Sequence, residues 1–238
     1  MHRVKRAIIM AAGLGDRMHP VTLTVPKPLV PVRGQRMIDS IIHALHQNGI
    51  REIYVVVGYL GEQFRSLEGE YPGLRLIENP DYRTANNISS LYYAREHLGD
   101  CVILDGDQII RDPAILSPEF ERSCYCCQWV ERPTREWLLQ TREGIVTACS
   151  RTGGDRGWEL HSVSLWSRED GEKLRRHLEY EYEERQNRAI YWDDVALFCH
   201  PEDYCLGIRP MFPEALTEID SFEELCRIDP SYEIVKEA

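Results

Sequence analysis

Strand-length apolar runs alternate with longer helix-period segments through the first half of the chain, and this alternation restricts the fold more than any other feature. The runs at 6–10, 53–57, 74–77 and 102–104 are apolar almost throughout, as strands buried on both faces are. Between them, 37–48 carries Ile38, Ile41, Ile42 and Leu45 in a helical stripe stopped by Gly49. A short helix at 61–67 and a polar-capped helix over 86–98 complete the alternation. Strand, helix and strand in this order predict a parallel sheet with crossover helices: an α/β, Rossmann-like three-layer α/β/α architecture with a mostly parallel mixed sheet. After Pro113 short β-prone segments follow at 123–130, 137–140, 145–148 and 162–166, expected to add antiparallel or mixed strands to the same sheet. The charged segment 169–188 reads as a helix with a solvated face, 217–219 as a late strand, and 222–228 as a last helix capped by Ser221. With no repeat, low-complexity tract or linker, residues 1–238 are expected to form a single domain, with a strand-helix alternating half at about 1–112 and a more β-rich half at about 113–238.

The formal charge of −11 and pI near 5.2 argue against a general nucleic-acid surface, which depends on clustered Lys and Arg. The apolar run after the basic residues at 1–6 is too short for a signal peptide, and no stretch is long enough to span a bilayer. A cytoplasmic protein without membrane insertion is expected, with self-association left open. Of the eight cysteines only Cys124 and Cys127 have the two-residue gap of a zinc knuckle, and no second such pair accompanies them, so reduced thiols without a catalytic role are expected.

The chemistry begins directly after the first strand, at Ala11-Ala12-Gly13-Leu14-Gly15-Asp16-Arg17-Met18, with Pro26-Lys27-Pro28 shortly downstream. Glycines let backbone N–H groups approach phosphate oxygens, and Arg17 and Lys27 add charge. The Gly-Lys-Ser/Thr ending of a Walker loop and the third glycine of the dinucleotide fingerprint are both missing. Asp105 and Asp107 follow the fourth strand, at the sheet edge where open α/β folds place ligands. Two carboxylates one residue apart suit a hard cation when a third acid joins them, and Asp193 is the best candidate, with Asp194 competing. The alternative is that Asp105 merely caps a strand end and Asp193 a helix.

Gly13-x-Gly15-x-Arg17 followed by Pro26-Lys27-Pro28 resembles the nucleotidyltransferases of the sugar-nucleotide pyrophosphorylase-like fold. Within that superfamily the chain is most similar to the bacterial CTP:phosphocholine cytidylyltransferases. The similarity includes residues 57–60, 86–91, 105–107, 136–137, 162–166, 191–193 and 218–221. The resemblance implies Mg2+ held at Asp107 and Asp193, Asp105 nearer the nucleotide, and Ser90 in nucleotide binding. Asn86 and Asn87 remain divided between ligand and loop roles. Ala11, Ala12, Gly13, Gly15, Arg17, Lys27, Asn87, Ser90 and Asp105 form the expected nucleotide site.

The expected reaction condenses CTP with phosphocholine to give CDP-choline and pyrophosphate. Attack is in line on the α-phosphorus, with Lys27, Arg17 and Asp107 as catalytic groups and no general base. Trp137 and Tyr191 are the candidates for a cage around quaternary ammonium. Trp166 reads as packing and Trp192 is undecided. The first alternative acceptor is 2-aminoethylphosphonate, whose primary ammonium would favour Glu136 or Asp194; His161 and the neighbours of the Asp105–Asp107 run depart from the phosphocholine pattern. A sugar 1-phosphate acceptor and a non-catalytic nucleotide sensor follow. The sugar enzymes commonly carry longer chains, and a sensor would have lost Lys27 or the metal acids.

Overall fold

The computed structural model describes residues 1–236. Among these, nine strands form the main sheet: β1 (Arg6–Ala11), β2 (Glu52–Val57), β3 (Leu74–Glu78), β4 (Cys101–Asp105), β5 (Cys124–Val130), β6 (Leu138–Arg142), β7 (Ile145–Ser150), β8 (Gly157–Trp166) and β9 (Gly207–Pro210). The first four lie side by side in the order β3-β2-β1-β4, all parallel. Side chains of β1 divide by parity, because successive Cβ atoms point to opposite faces. Ala7 and Ile9 pack with α1 (Met37–Gln47) and α2 (Arg65–Glu70), whereas Ile8 and Met10 pack with α3 (Ile88–Tyr93) and α4 (Arg168–Glu179). This is the expected three-layer arrangement. The α1 stripe of Ile38, Ile41, Ile42 and Leu45 is fully buried, each side chain contributing about 1.5–3 kcal/mol of transfer free energy. Gly49, at φ +76°, ends the helix where the sequence places its stop.

The second half departs from a simple extension of the sheet. β8 pairs antiparallel with β4 through Val163–Leu104 to Trp166–Cys101, yet its earlier residues Trp158 and Glu159 pair with β6. A register shift opposite Tyr125 and Cys127 of β5, with Ser162 at φ +48°, bends the strand between these roles. β5 also pairs with β9, β9 with β7, and β7 with β6, so five strands close into a small ring fused to the parallel layer. The sequence reading found the strands but not this closure, and it missed β9. The 169–188 segment is α4 followed by a wider turn at Tyr180–Glu184 that buries Glu181 and Tyr182, so it is not solvated along its whole length.

The late strand is Leu216–Glu218, paired antiparallel with Gln108–Ile110. It feeds α5 (Phe222–Ile228), whose capping box runs between Ser221 and Glu224. Phe222 and Leu225 pack with Met18, Val30, Val32 and Met37, so the end of the chain lies against the loop that follows β1. All eight cysteines are free, and no helix among the described residues is long and apolar enough to cross a membrane.

Candidate active site

β1 and β4 are neighbours although their chain connections run to opposite sides of the sheet, and the crevice beyond their carboxyl ends is where such folds bind ligands. A cleft of about 480 Å³ opens there. Its walls include Ala11, Ala12, Gly13, Gly15, Arg17, Lys27, Asn87, Ser90, Asp105 and Asp107. A second cavity of about 330 Å³ continues from it, sharing Arg17, Asn87, Asp105, Asp107 and Asp220, and reaches Glu136, Trp137, Tyr191 and Asp193. The fold therefore gathers the sequence-predicted site residues along one continuous crevice, and leaves the two alternatives, Asn86 and Asp194, outside its lining.

Local geometry explains the residue types. Gly15 has φ +70°, and a Cβ there would lie 3.0 Å from Thr22 Cγ2 and 3.3 Å from Lys27 Cβ, so the loop closes over the lysine only with glycine. Gly106 donates its backbone N–H to the Met10 carbonyl at 2.8 Å, which holds the Asp105-Gly106-Asp107 turn against the end of β1. Lys27 is buried. Its Nζ donates to Asp107 Oδ2 at 2.6 Å and to Asp220 Oδ1 at 2.9 Å, and Arg17 Nη2 donates to the same Asp220 oxygen at 2.9 Å. Burial pulls the Lys27 ammonium pKa down, but Asp107 and Asp220 outweigh it and hold the pKa above the ordinary lysine value.

The acids are crowded. Asp107, Glu218 and Asp220 present oxygens within 4.8 Å of one another. Burial and the Asp107 charge push Asp105 up to about 7. Burial and Asp105 push Asp193 well above the usual carboxylate range, and burial with Asp107 does the same to Glu218. One oxygen each of Asp107 and Asp193 is buried without a hydrogen-bond partner. These five carboxyl groups line a crevice whose cationic lining residues, among those described, are Lys27 and Arg17, and an all-oxygen donor set of this kind fits a hard divalent cation.

Asp193 and Asp194 separate clearly. Asp194 accepts from Arg151 Nε at 2.8 Å and from the Tyr191 backbone N–H at 2.8 Å, whereas Asp193 faces the cavity. The helical turn begins at Tyr191 and uses Asp194 in its cap, so Asp193 is not the N-cap. The asparagines separate too. Asn86 Nδ2 donates to the Ala189 carbonyl, its Oδ1 accepts from Asn87 N, and it does not line the cleft. Asn87 lines both cavities while its Oδ1 accepts from Trp192 N at 2.9 Å. Ser90 is buried, its Oγ accepting from Asn79 Nδ2 at 3.0 Å. Trp137 and Tyr191 meet edge to face, with centroids 5.6 Å apart and planes at 84°. Trp166 and Trp192 are both core residues.

Comparison with known proteins identifies the family. The nucleotidyl transferase family model matches residues 6–120. The 2-aminoethylphosphonate cytidylyltransferase of Lancefieldella rimae is 39% identical over 228 residues, 95% of this chain and 92% of that protein. The chain belongs to the nucleotidyl transferase family. The choline-phosphate cytidylyltransferase of Streptococcus pneumoniae is 31% identical to this transferase over 94% of this chain and 96% of that protein. A solved structure of the CTP:phosphocholine cytidylyltransferase from the same species superimposes on the transferase with a TM-score of 0.86 at 31% identity, covering 98% of this chain and 99% of that one.

Sequence reasoning assigned no role to Glu218 and Asp220 of the transferase, nor to Tyr82 and Ser162, which also line the crevice. A signal for the first two exists: Glu218-Ile219-Asp220 repeats the one-residue spacing of Asp105-Gly106-Asp107. The backbone N–H of Ile219 donates to the Asp107 carbonyl at 3.4 Å, which brings the two acid pairs together.

Proposed function

We propose that the enzyme transfers the cytidylyl group of CTP to 2-aminoethylphosphonate and releases pyrophosphate. The observation that carries this reading is the character of the acceptor end. Glu136, exposed and with no side-chain hydrogen bond or ion pair among the described residues, lines the same cavity as Asp193 and Glu218, while Trp137 and Tyr191 stand with their ring planes at right angles. A primary ammonium has three N–H donors for such carboxylates; a trimethylammonium has none. The 39% identical 2-aminoethylphosphonate relative supports the same choice. Phosphocholine is the second reading, favoured by the Trp137–Tyr191 pair, whose faces attract quaternary ammonium.

In this mechanism Arg17 and the glycine-loop amides receive the β- and γ-phosphates, and Lys27 neutralises charge growing around the α-phosphate. Asn87 and Ser90 face the pyrimidine. A phosphonate oxygen, already anionic at neutral pH, attacks the α-phosphorus in line. The new P–O bond forms as the bond to the β-phosphate bridging oxygen breaks, and the electron pair leaves on pyrophosphate with no proton transferred. Asp107 would hold a divalent cation, magnesium in the first instance, with Asp193 as the partner expected from the sequence and Glu218 and Asp220 as those nearest Asp107. When bound, the ion supplies Lewis-acid neutralisation of phosphate charge. The two halves of the chain, 1–112 and 113–238, serve this one crevice from opposite ends.

Pyrophosphate release with CTP and magnesium, measured against 2-aminoethylphosphonate, phosphocholine and a sugar 1-phosphate, tests the assignment. We expect kcat/KM for 2-aminoethylphosphonate to exceed that for phosphocholine by at least about tenfold, a difference of about 1.4 kcal/mol. The reverse order would install the second reading. Silence with all three acceptors would count against cytidylyl transfer itself.

A further inference from the structure

Outside the crevice, α4 and the segment after the Asp193 turn meet at a group of side chains that the reaction does not use. His177, near the end of α4, and His200, which follows the wide turn Val195–Cys199, stack with centroids 3.9 Å apart and planes within 11°. Each ring has one nitrogen already engaged. His177 Nδ1 is 2.8 Å from the Tyr204 hydroxyl, and His200 Nε2 is 3.1 Å from Glu181 Oε1. Glu181 is itself buried and held on its other oxygen by Asn187 Nδ2 at 3.0 Å. The remaining nitrogens, His177 Nε2 and His200 Nδ1, lie 3.5 and 4.0 Å from the same oxygen, Asp203 Oδ2.

We propose that His177 Nε2, His200 Nδ1 and Asp203 form a transition-metal site, selective for zinc or a similar borderline divalent ion, that ties α4 to the segment carrying Asp193. The three ligand atoms already lie within 4.8 Å of one another. Tetrahedral zinc with bonds of about 2.0–2.1 Å requires ligand atoms about 3.3 Å apart, so the distances of 3.5 and 4.0 Å to Asp203 close by about 0.2 and about 0.7 Å. The stacked rings must splay so that their lone pairs converge, a motion open to side chains that are only partly buried. The outer contacts have the form that orients ligating histidines elsewhere: a carboxylate on the far nitrogen of one ring and a hydroxyl on the far nitrogen of the other. Two imidazoles with one carboxylate select against magnesium, which prefers oxygen ligands and water. The site is thus chemically distinct from the all-oxygen crevice. Three protein ligands leave a fourth position for water.

The ion would join residue 177 to residues 200 and 203, across the helical stretch that begins with the Asp193 turn, so its expected effect is on rigidity and stability rather than on the bond-making step. The test uses the full chain, stripped with a chelator and kept reduced, in millimolar magnesium so that the acidic crevice is occupied. Zinc is titrated in competition with a chromophoric chelator, and the melting midpoint is followed alongside. We expect one zinc per chain with micromolar or tighter affinity, and a midpoint raised by about 5 °C or more at a hundredfold excess over Kd. Asp203→Asn, at an exposed position, should weaken binding at least tenfold, and His177→Gln at least a hundredfold, with pyrophosphate release in magnesium unchanged in both. If His177→Gln fails to fold, Asp203→Asn decides alone. Absence of zinc binding below about 100 µM in the unsubstituted chain, or equal affinity in the variants, as thiol binding would give, overturns the site.

Discussion

Replacing Lys27 by alanine probes the centre of the crevice, because one buried ammonium holds Asp107 and Asp220 together at 2.6 and 2.9 Å. At an effective dielectric of about 20, each contact carries about 6 kcal/mol of gross attraction. Most of this is offset by desolvation of the ammonium and by repulsion among the acids it brings together. Truncation leaves Asp107 without its cation and Asp220 with Arg17 alone. Breaking a fully buried pair costs about 3–5 kcal/mol, and the side chains of Asp107 and Asp220 are 22% and 31% exposed, so we expect a stability loss of about 2–3 kcal/mol. Divalent cations should recover part of it by replacing the lost positive charge. Under the proposed mechanism Lys27 acts mainly on charge that develops in the transition state. The expected fall in kcat is about 10²–10³-fold, or about 3–4 kcal/mol, with the Kd for CTP weakened by no more than about tenfold. Pyrophosphate release at saturating CTP gives kcat, calorimetry gives Kd, and thermal unfolding with and without magnesium gives the stability change. A variant whose kcat stays within about threefold of the unsubstituted enzyme would remove Lys27 from the chemistry, whatever its stability.

Arg151→Ala addresses the acceptor wall without touching the phosphates. Its guanidinium pairs with buried Asp194, which also caps the Tyr191 backbone, and lies 3.7 Å from the Phe198 ring centroid and 5.7 Å from that of Trp137. We expect the acceptor KM to rise about tenfold, roughly 1.4 kcal/mol, while the CTP KM stays within about twofold, and Arg151→Lys to fall between; equal rises for both substrates would reduce Arg151 to a general structural role. Asp81 supplies a pH test remote from the acid cluster: a hydrogen bond from Tyr182 pulls its carboxyl below the ordinary value, with Tyr93 at 2.9 Å and Arg188 assisting against burial. A folded pKa below the unfolded one contributes stability that is present above pH about 4 and is lost as pH falls through the folded value. Asp81→Ala should therefore cost about 2 kcal/mol by urea unfolding at pH 7, with the gap to the unsubstituted protein narrowing below pH about 4; a gap unchanged down to pH about 3 would show that the loss is packing alone.

The parallel layer was legible because β1, β2 and β4 are largely buried on both faces and announce themselves as apolar runs, while the edge strand β3, only partly buried, still alternates about Leu74, Leu76 and Ile77. Ala7 to Met10 and Ile53 to Val57 admit no other placement once α1 has its stripe and its Gly49 stop. The ring formed by β5 to β9 was not legible. Its closure depends on a register shift opposite Tyr125 and on the backbone conformation of Ser162, and neither a serine nor a tyrosine marks a bulge in the sequence. β9 was missed because Gly207-Ile208-Arg209-Pro210 combines a flexible residue with one that cannot donate to a ladder, a composition that reads as a turn.

Within the crevice, local motifs were readable and convergence was not. Gly13, Gly15, Arg17 and Lys27 lie close in sequence, and Asp105 and Asp107 lie at a strand end, so each group has a local physical reason. Glu218 and Asp220 have the same one-residue spacing, but their importance depends on meeting Asp107, more than a hundred residues earlier. That meeting is built by the pairing of Leu216–Glu218 with Gln108–Ile110, by the cap that fixes the Asp220 and Ser221 backbone on Glu224, and by the packing of Phe222 and Leu225 against Met18 and Val30. Asp220 in turn binds both Lys27 and Arg17. Arg17 and Lys27 are consequently oriented, through Asp220, by the packing of α5. An apolar contact made by α5 is thereby coupled to the charge balance of the acidic crevice.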